Sequence, residues 1–534
     1  MRSTATVRMI PVVIERLLKR ALIFAHRWLG VALSAILMLW FASGIVMLYR
    51  SYPSVTVRDR LEHLPVLDPS QIKLSAEEAF AALGPDGQPA HVLLTSFDGR
   101  PVYFGGGALI YADDGSQPRD VDSAMIDRAA AAWSGRPIDQ AEKTSVDEPD
   151  QWTLSSDLRG LRPLFKYSWP DGQQVYVDGN TGDVVQYTTT SSRLWAYLGA
   201  IPHWLYFTPL RVQQGPWFSI IVWSSVIGSV AALIGFVIAA WMYSPRRRYR
   251  HEGRPTSIPY RGWKRWHTVA GLCFGVIATT WTFSGLLTMG PFPLVDKVSS
   301  FIRPEVQPSG HHHEVDLFRV FRAGRLDFSH YADRHPSAAI AALRGFDVKE
   351  IEYSSFGGKA LYVASDGNGD TRIVPVHGAP FKNFDTDDLM RRVRNALDEH
   401  LVELRLMDKY DAYYVDRRGL RPLPVIFARF DDAVGSRYYI DPRTATLAGS
   451  YTANQWVERW LTRGLHSLDF PWLYNNRPLW DIVVVSLLLG GAGLCFTSLV
   501  LTWRVVSRTL ASLLRARVVS PVEDLLSPEF VKKV

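Results

Sequence analysis

The sequence predicts a membrane protein whose four transmembrane α-helices form two parallel tandem repeats, each with an α+β domain outside the membrane. Three observations predict this: four long apolar stretches, basic residues clustered beside them, and matched motifs in the two halves of the chain. The chain has 534 residues, too many for one ordinary domain. Hydrophobic residues make up 47% and charged residues 21%, close to soluble averages. The membrane assignment therefore depends on where the apolar residues lie.

Four apolar stretches are long enough to cross a bilayer, which takes about 20 residues in a helix. We place them at residues 21–49, 217–243, 266–289 and 479–503. The first is too long for the apolar part of a signal peptide and no small-residue cleavage site follows it, so we expect an uncleaved anchor. Both cysteines of the chain lie inside these stretches, which predicts neither a disulfide framework nor a zinc site.

The positions of Lys and Arg predict the orientation, because short basic loops stay in the cytoplasm. Residues 1–20 and 504–534 are basic, and residues 244–265 contain eight basic side chains. We predict that these three segments are cytoplasmic, which places 50–216 and 290–478 in the periplasm of a bacterial inner membrane. The net charge of +7 follows from this topology. We therefore expect the lipid bilayer as a partner and no nucleic acid.

The two halves of the chain share motifs at identical spacing, which indicates an internal repeat. The matched sets are His26, Gly30, Trp40, Ser43 and Gly44 in the first stretch and His267, Gly271, Trp281, Ser284 and Gly285 in the third. Residues 159–164 recur unchanged as 418–423. His203, before the second stretch, corresponds to His466, before the fourth.

Each segment outside the membrane is predicted to combine strands with short helices. Ser75 and Glu78 form a capping box that opens a helix. Residues 179–182 are turn residues that close a hairpin. Residues 387–401 have the pattern of a helix with one polar face. We therefore expect one small α+β domain in each segment.

The repeat predicts two facing pairs of histidines. Each copy has two spans, so both copies enter the membrane in the same direction, related by a two-fold axis along its normal. His26 and His267 then face each other at one depth, and His203 and His466 at the other. A pair within one copy would have to bridge about 30 Å of bilayer. Two facing neutral imidazoles are the ligand set of a b-type haem, so we predict two bis-histidine haems.

Glycines and arginines near these histidines have two possible roles each. Gly30 and Gly271 lie four residues after a histidine, on the same helix face. They could leave room for a flat macrocycle, or they could simply allow close helix packing. Five arginines could neutralise haem propionates or could be structural: Arg27, Arg159, Arg162, Arg418 and Arg421. The tract 311–313 contains three histidines and is interpreted as a solvated loop or a weak metal site.

Two motifs of the sequence resemble those of a known protein family. His26 to Gly30 reads His-Arg-Trp-Leu-Gly, and with its copy at 267–271 it resembles the PepSY-associated transmembrane proteins. The stretch from Tyr176 to Gly182 resembles a PepSY strand–turn–strand. The likeness covers nearly the whole chain. In the second copy a threonine follows the histidine in place of arginine, and the turn at 441–445 lacks the glycine.

Members of this family include inner-membrane ferric-siderophore reductases with two b-type haems, found with iron-uptake systems. The resemblance implies that the chain is an oxidoreductase and that four histidines are the axial ligands of the haem irons: His26, His203, His267 and His466. It also implies PepSY-like domains at 50–216 and 290–478. A ferric siderophore or another ferric chelate is then the expected substrate.

The expected function is transmembrane electron transfer, from the cytoplasm through the two haems to a periplasmic ferric chelate. The sequence has no GxGxxG motif and no cytoplasmic segment large enough for a flavin or nicotinamide domain. The donor must then be a separate protein, a free reduced flavin or a quinol. Two other functions stay open, a transporter or permease subunit and a membrane-anchored PepSY binding or regulatory module. Against the transporter, no charged residue lies at mid-span.

Overall fold

The computed structural model describes residues 3–83, 89–117, 121–290, 326–397, 401–417, 419–432, 434–456 and 458–525. The histidine tract 311–313 and Arg418 lie outside the described residues, so their predicted roles stay predictions.

Helices and strands alternate in the described chain. The α-helices are α1 (Ser3–Met47), α2 (Val57–His63), α3 (Ala76–Phe80), α4 (Ser123–Ser134), α5 (Ser156–Arg159), α6 (Thr190–Leu198), α7 (Ala200–Trp204), α8 (Thr208–Arg211), α9 (Gln214–Met242), α10 (Gly262–Thr288), α11 (Pro336–Ala341), α12 (Thr386–Leu397), α13 (Leu465–Ser467), α14 (Pro471–Tyr474) and α15 (Leu479–Leu525). The strands are β1 (Leu93–Phe97), β2 (Arg100–Gly105), β3 (Ala108–Tyr111), β4 (Glu142–Val146), β5 (Leu164–Ser168), β6 (Gln174–Asp178), β7 (Val184–Thr188), β8 (Tyr249–His251), β9 (Arg254–Thr256), β10 (Glu350–Phe356), β11 (Lys359–Ser365), β12 (Thr371–Pro375), β13 (Leu401–Met407), β14 (Val425–Phe430), β15 (Arg437–Asp441) and β16 (Thr446–Tyr451).

Four helices are long and apolar enough to cross a membrane, which confirms the four predicted spans. Their candidate spans are Ile14–Met47, Gln214–Met242, Gly262–Thr288 and Leu479–Ser512. A helix suits a lipid environment because it satisfies its own backbone polar groups. Helices α1 and α10 each pack against both α9 and α15, so the four form a bundle. We call the end of this bundle near the β8–β9 hairpin the hairpin end, and the opposite end the sheet end.

The helices extend further than the apolar stretches that predict them. Helix α1 begins at Ser3 and α15 ends at Leu525, well outside 21–49 and 479–503. Hydropathy marks only the part of a helix that lipid can surround, whereas backbone hydrogen bonding continues into polar sequence. The four predicted spans are therefore confirmed in number and position, and the first and last helices continue beyond them toward the chain ends.

The two segments at the sheet end share a six-stranded sheet, with strand order β12-β11-β10-β1-β2-β3. Its middle pair joins the halves of the chain: β1 runs antiparallel to β10, with Leu93 opposite Glu352 and Leu94 opposite Ile351. The sequence predicts a separate α+β domain in each segment, and here the structure differs. The edges of β1 and β10 would each expose unpaired backbone N–H and C=O groups, and pairing them removes both edges.

Each segment also has its own four-stranded sheet. The orders are β4-β5-β6-β7 and β13-β14-β15-β16. The first is covered by α4, whose Trp133 packs in its core, and the second by α12 with Leu389 and Val393. The two four-stranded sheets thus have the same strand order, and in both of them neighbouring strands are antiparallel.

The local motifs in these segments have mixed outcomes. The capping box is confirmed, since the Glu78 backbone N–H donates to Ser75 Oγ at 3.3 Å and the Ser75 N–H donates to Glu78 Oε2 at 2.7 Å. The turn at 179–182 does connect paired strands, β6 and β7. The helix predicted at 387–401 is wrong at its end, because α12 stops at Leu397 and β13 begins at Leu401. Apolar side chains continue there, but with the alternation of an edge strand.

Candidate functional site

Two histidines from different helices face each other at the hairpin end of the bundle. His26 of α1 and His267 of α10 have ring centroids 6.0 Å apart, with 31° between the ring planes. His26 Nδ1 is 3.0 Å from the Ala231 carbonyl oxygen on α9. His267 Nδ1 is 2.9 Å from Thr497 Oγ1 on α15. All four long helices therefore position this pair.

A second pair lies at the sheet end. His203 of α7 and His466 of α13 have ring centroids 6.2 Å apart and ring planes at 63°. Each short helix ends one residue after its histidine and is followed by a leucine, Leu205 or Leu468, in the left-handed conformation with φ of 51°. A leucine rarely adopts this conformation, so surrounding packing must hold it there. The matched turns give both histidines the same local setting.

The Nδ1 atoms of the second pair are also hydrogen-bonded. His203 Nδ1 lies 3.2 Å from the Trp40 carbonyl oxygen and 3.1 Å from Ser43 Oγ. His466 Nδ1 lies 3.1 Å from Ser284 Oγ. Both serine hydroxyls already donate to carbonyl oxygens of their own helices, so they accept from the histidines. The Nδ1 atoms therefore carry the protons.

These hydrogen bonds leave Nε2 as the free nitrogen of all four rings. Within the described part of the chain, no hydrogen bond to these Nε2 atoms is present. Burial lowers the pKa of His203 to about 4, and the nearby His466 contributes; burial also lowers the pKa of His466. Both rings are therefore neutral at pH 7. A neutral imidazole whose Nδ1–H is held by a neighbour and whose Nε2 is free is the usual form of a metal ligand.

The spacing of each pair fits one metal ion between two imidazoles. An imidazole nitrogen binds a metal at about 2 Å and lies about 1 Å from its ring centroid, so opposed rings have centroids about 6 Å apart. The observed separations are 6.0 and 6.2 Å. Among the described residues no group of three or more His, Cys, Asp or Glu could hold a metal. Each pair thus offers two ligands, which suits an iron whose other ligands come from a porphyrin.

Glycines allow neighbouring helices to approach the rings closely. A Cβ atom at Gly44 would lie 3.7 Å from His203 Cε1, and one at Gly285 would lie 3.4 Å from His466 Cε1. A Cβ at Gly235 of α9 would overlap the His26 ring. Gly235 was not predicted, because its partner lies on a different helix and no local spacing relates them.

A cavity of about 700 Å³ contains the first histidine pair. Gly30 and Gly271 line it, as predicted, and a Cβ at either would have its nearest neighbour at 3.7 Å or more. Of the five arginines predicted for propionates, Arg27 lines this cavity. Four further basic side chains also line it: Arg261, Lys264, Arg504 and Arg508. In the sequence these basic residues serve only to predict the orientation of the chain. Their spacing does not show that they line one cavity.

The other predicted arginines that the structure describes, Arg159, Arg162 and Arg421, have partners outside this cavity. Arg159 donates to the Arg211 carbonyl at 3.2 Å, and Arg162 donates to the Leu158 carbonyl at 3.0 Å. The Arg421 guanidinium lies 5.2 Å from the Tyr414 ring centroid. These contacts favour a structural role for these arginines over neutralising haem propionates.

A comparison with protein families places the chain. The family model described as the PepSY-associated TM region matches residues 24–345. The chain belongs to this family. The matched range includes His26, His203 and His267, whereas His466 lies beyond it. No match is found among curated proteins.

In this PepSY-associated protein, aromatic side chains occupy the apolar interior between the two pairs. Phe41 lines the cavity of the first pair, and its ring centroid lies 5.9 Å from that of Trp281. The Trp281 carbonyl accepts from Ser284, which in turn accepts from His466. A continuous set of contacts therefore links the cavity at the hairpin end to the pair at the sheet end.

A buried charge cluster lies beside His466 in this family member. Asp469 is 4% exposed, and its carboxylate is 3.6 Å from Arg417 Nε. Arg417 also donates to Ser467 Oγ at 2.6 Å, and Arg459 donates to the Asp469 carbonyl at 2.6 Å. Burial raises the pKa of Asp469, and the arginines oppose that rise. No sequence motif pointed to this cluster, because its members come from three separate segments.

Proposed function

We propose that this protein carries electrons across a membrane through two b-type haems and reduces a ferric chelate, such as a ferric siderophore, at its sheet end. One observation supports this above the others. Two histidine pairs at opposite ends of the bundle have centroid separations of 6.0 and 6.2 Å, and each of the four rings has its Nδ1 held by a hydrogen bond. Haem iron, when bound, supplies one-electron chemistry by changing between its ferric and ferrous forms.

The chain's own residues hold and orient the ligands in this proposal. His26 and His267 would ligate one group, and His203 and His466 the other. Thr497, Ser43 and Ser284 fix the tautomer of three of these rings by accepting their Nδ1 protons. Basic residues around the first cavity would neutralise propionates. Phe41 and Trp281, which are both buried, would exclude water from the region between the pairs.

We further propose that the two halves are parallel tandem repeats in a bacterial inner membrane, with both termini in the cytoplasm. Matched strand orders in the four-stranded sheets support the repeat. So does the register of β1 with β10, since Leu93 and Glu352 each lie three residues before the matched Ser96 and Ser355. A two-fold axis between two antiparallel strands places one residue opposite the matched residue of the other half, as seen here. The basic segments at the hairpin end support the orientation.

The chelate would be reduced at the sheet end. Among the described residues, only that end has sheets of four or more strands, which are large enough to shape a surface for a bulky ligand. Reduction would release the iron, because hard oxygen ligands bind ferrous iron much less tightly than ferric iron.

Haem content tests the proposal. Protein purified from cells supplied with haem should contain two b-type haems per chain, measured by pyridine haemochrome absorbance against protein concentration. His26→Ala or His267→Ala should remove one haem, and His203→Ala or His466→Ala the other. His63→Ala is a matched control, because its ring stacks on Trp133 at 4.1 Å in the sheet region. Purified protein without haem would sink the proposal and favour a PepSY-type binding or regulatory module.

A further inference from the structure

A second cavity, of about 720 Å³, opens on the outer surface of the bundle between α10 and α15. Aromatic side chains form its walls: Trp263, Trp266, Phe274 and Phe496. Trp266 is 64% exposed and Phe496 is 50% exposed, so the cavity faces the space that lipid would fill. We call it the lateral groove.

Two glycines of α15 create the depth of the lateral groove. Phe274 packs directly on Gly490, where no side chain intervenes. A Cβ at Gly493 would meet nothing within 4 Å, so open space lies beside it. Phe274 thus occupies the space at Gly490, and the open floor of the groove lies at Gly493, between aromatic walls where a ring can stack.

The lateral groove reaches the first histidine pair through a single side chain. Thr497 lines the groove, and its hydroxyl accepts from His267 Nδ1 at 2.9 Å. The same hydroxyl donates to the Leu494 carbonyl at 2.7 Å. A hydroxyl oxygen has two lone pairs, so Thr497 retains one that can accept a proton donor from within the groove.

We propose that the lateral groove binds a membrane quinol, which donates electrons to the His26/His267 site. The proposal rests on the proposed function and identifies the donor that it leaves open. A quinol has a flat ring suited to the aromatic walls and a hydroxyl suited to the free lone pair of Thr497. Its isoprenoid tail stays in the lipid. An acyl chain would fill the same apolar space but would use neither the stacking walls nor the hydroxyl.

The redox balance of this step is complete. Each quinol becomes a quinone by losing two electrons and two protons. The electrons leave one at a time toward the His26/His267 site and in the end reduce two ferric chelates to the ferrous state. The protons pass to water at the hairpin end, where the groove begins beside Gly262.

Among the described residues, the first half of the chain lacks the two features that form this groove at the equivalent positions. Counting from His203 and His466, Val230 corresponds to Gly493, each 27 residues on, and Ile234 corresponds to Thr497, each 31 residues on. Val230 is 47% exposed on the surface of α9. At these two positions the first half thus has branched apolar side chains in place of the open floor and the hydroxyl. This asymmetry provides a matched control position.

Photolabelling tests the site directly. The full chain in phosphatidylcholine nanodiscs is illuminated with an azido-decylbenzoquinone, and the adducts are mapped by mass spectrometry. Adducts should concentrate in 262–274 and 490–497, saturate, and be displaced by unlabelled decylbenzoquinone. Gly493→Leu, which fills the floor, should weaken competition at least about tenfold. Trp266→Ala should weaken it as well, whereas Val230→Leu should leave it unchanged.

The possible outcomes separate the two proposals. Adducts spread evenly over the lipid-facing helices, equal in wild type and Gly493→Leu, would mean that the groove holds lipid and would overturn the quinol site. If the protein contains two haems, that result leaves the proposed function in place. Specific labelling of a protein that binds no haem would instead overturn the proposed function and keep the site. In haem-loaded protein, decylbenzoquinol should also reduce the haem absorbance band more slowly in Gly493→Leu than in Val230→Leu.

Discussion

Single hydroxyl groups hold three of the four histidines in the orientation that a ligand needs. Ser284 is the clearest case, because its hydroxyl receives the His466 Nδ1 proton while donating to the Trp281 carbonyl. The sequence contained Ser43 and Ser284 as matched residues, but spacing alone could not show that they contact histidines from another segment. Which side chains meet between helices depends on the orientation of each helix about its own axis. The hydropathy pattern does not determine that orientation.

Removing one of these hydroxyls should loosen its haem. Ser284→Ala removes the hydroxyl that accepts the His466 Nδ1 proton. The affinity for haem at the sheet end should therefore fall by about tenfold or more. Its midpoint potential should shift as well, measured by spectroelectrochemical titration. Thr279→Val is the control, because the Thr279 hydroxyl donates to the Gly275 carbonyl of its own helix rather than bonding to a histidine. Equal effects of the two variants would mean that the loss of any hydroxyl on α10 disturbs the bundle.

A glycine tests the first pair at the same scale. Gly235→Ala places a methyl group into the His26 ring, so the haem at the hairpin end should be lost while the other remains. Haem stoichiometry then falls from two per chain to one. Gly493→Ala serves as the control, since a Cβ at that glycine has open space. Two haems retained in Gly235→Ala would show that His26 can turn away without losing its role.

At the scale of elements, the short helices and loops at the sheet end depend on buried charge. Asp469 lies between Arg417 and Arg459, just after the helix that carries His466. Removing the Asp469 carboxylate takes the counter-charge away from the partly exposed Arg417 and from the nearby buried Arg459, and a buried charge left without a counter-charge is destabilising. The cluster therefore anchors the loop that presents the second histidine pair.

Asp469→Ala should consequently lower the thermal unfolding midpoint and release the haem at the sheet end before the other. Both changes can be followed in one heating experiment by recording haem absorbance and light scattering. Glu403→Ala is the comparison, because Glu403 is partly exposed and its pairs with Arg405 and Arg429 are solvent-accessible. Such pairs contribute about 0–1 kcal/mol. Similar losses in both variants would contradict an anchoring role for Asp469.

At the scale of the whole molecule, the joined sheet and the helix bundle hold the two halves together at two levels. Four spans and the histidine pairing could be predicted from the sequence, because hydropathy and repeat spacing determine them. The pairing of β1 with β10 could not be predicted from the sequence. Strand pairing over more than 250 residues leaves no local signal, since the same alternating pattern fits an edge strand or a central one.

A designed cross-link tests the join and the location of the sheets together. Leu93 and Glu352 lie opposite each other, and the neighbouring hydrogen bond from Tyr353 to Val92 makes theirs the closer type of antiparallel pair. The double variant Leu93→Cys with Glu352→Cys should form a disulfide in cells, because the periplasm is oxidising. Non-reducing electrophoresis and peptide mapping detect it. Leu93→Cys with Ile351→Cys is the control, since a shift of one residue points the second side chain to the other face. Free thiols in the first variant would contradict the join or the periplasmic location.

The pairing of β1 with β10 also bears on how such a chain could arise and diverge. Half of this chain would expose an unpaired strand edge and would supply one histidine to each pair, so it could complete itself only by binding a second copy. Two identical copies must place the same residue on both sides of their axis. Once both halves belong to one chain, that constraint is gone, and each side can specialise. Glu352 opposite Leu93, and the open Gly493 where the other half has Val230, are differences that a symmetric dimer could not maintain.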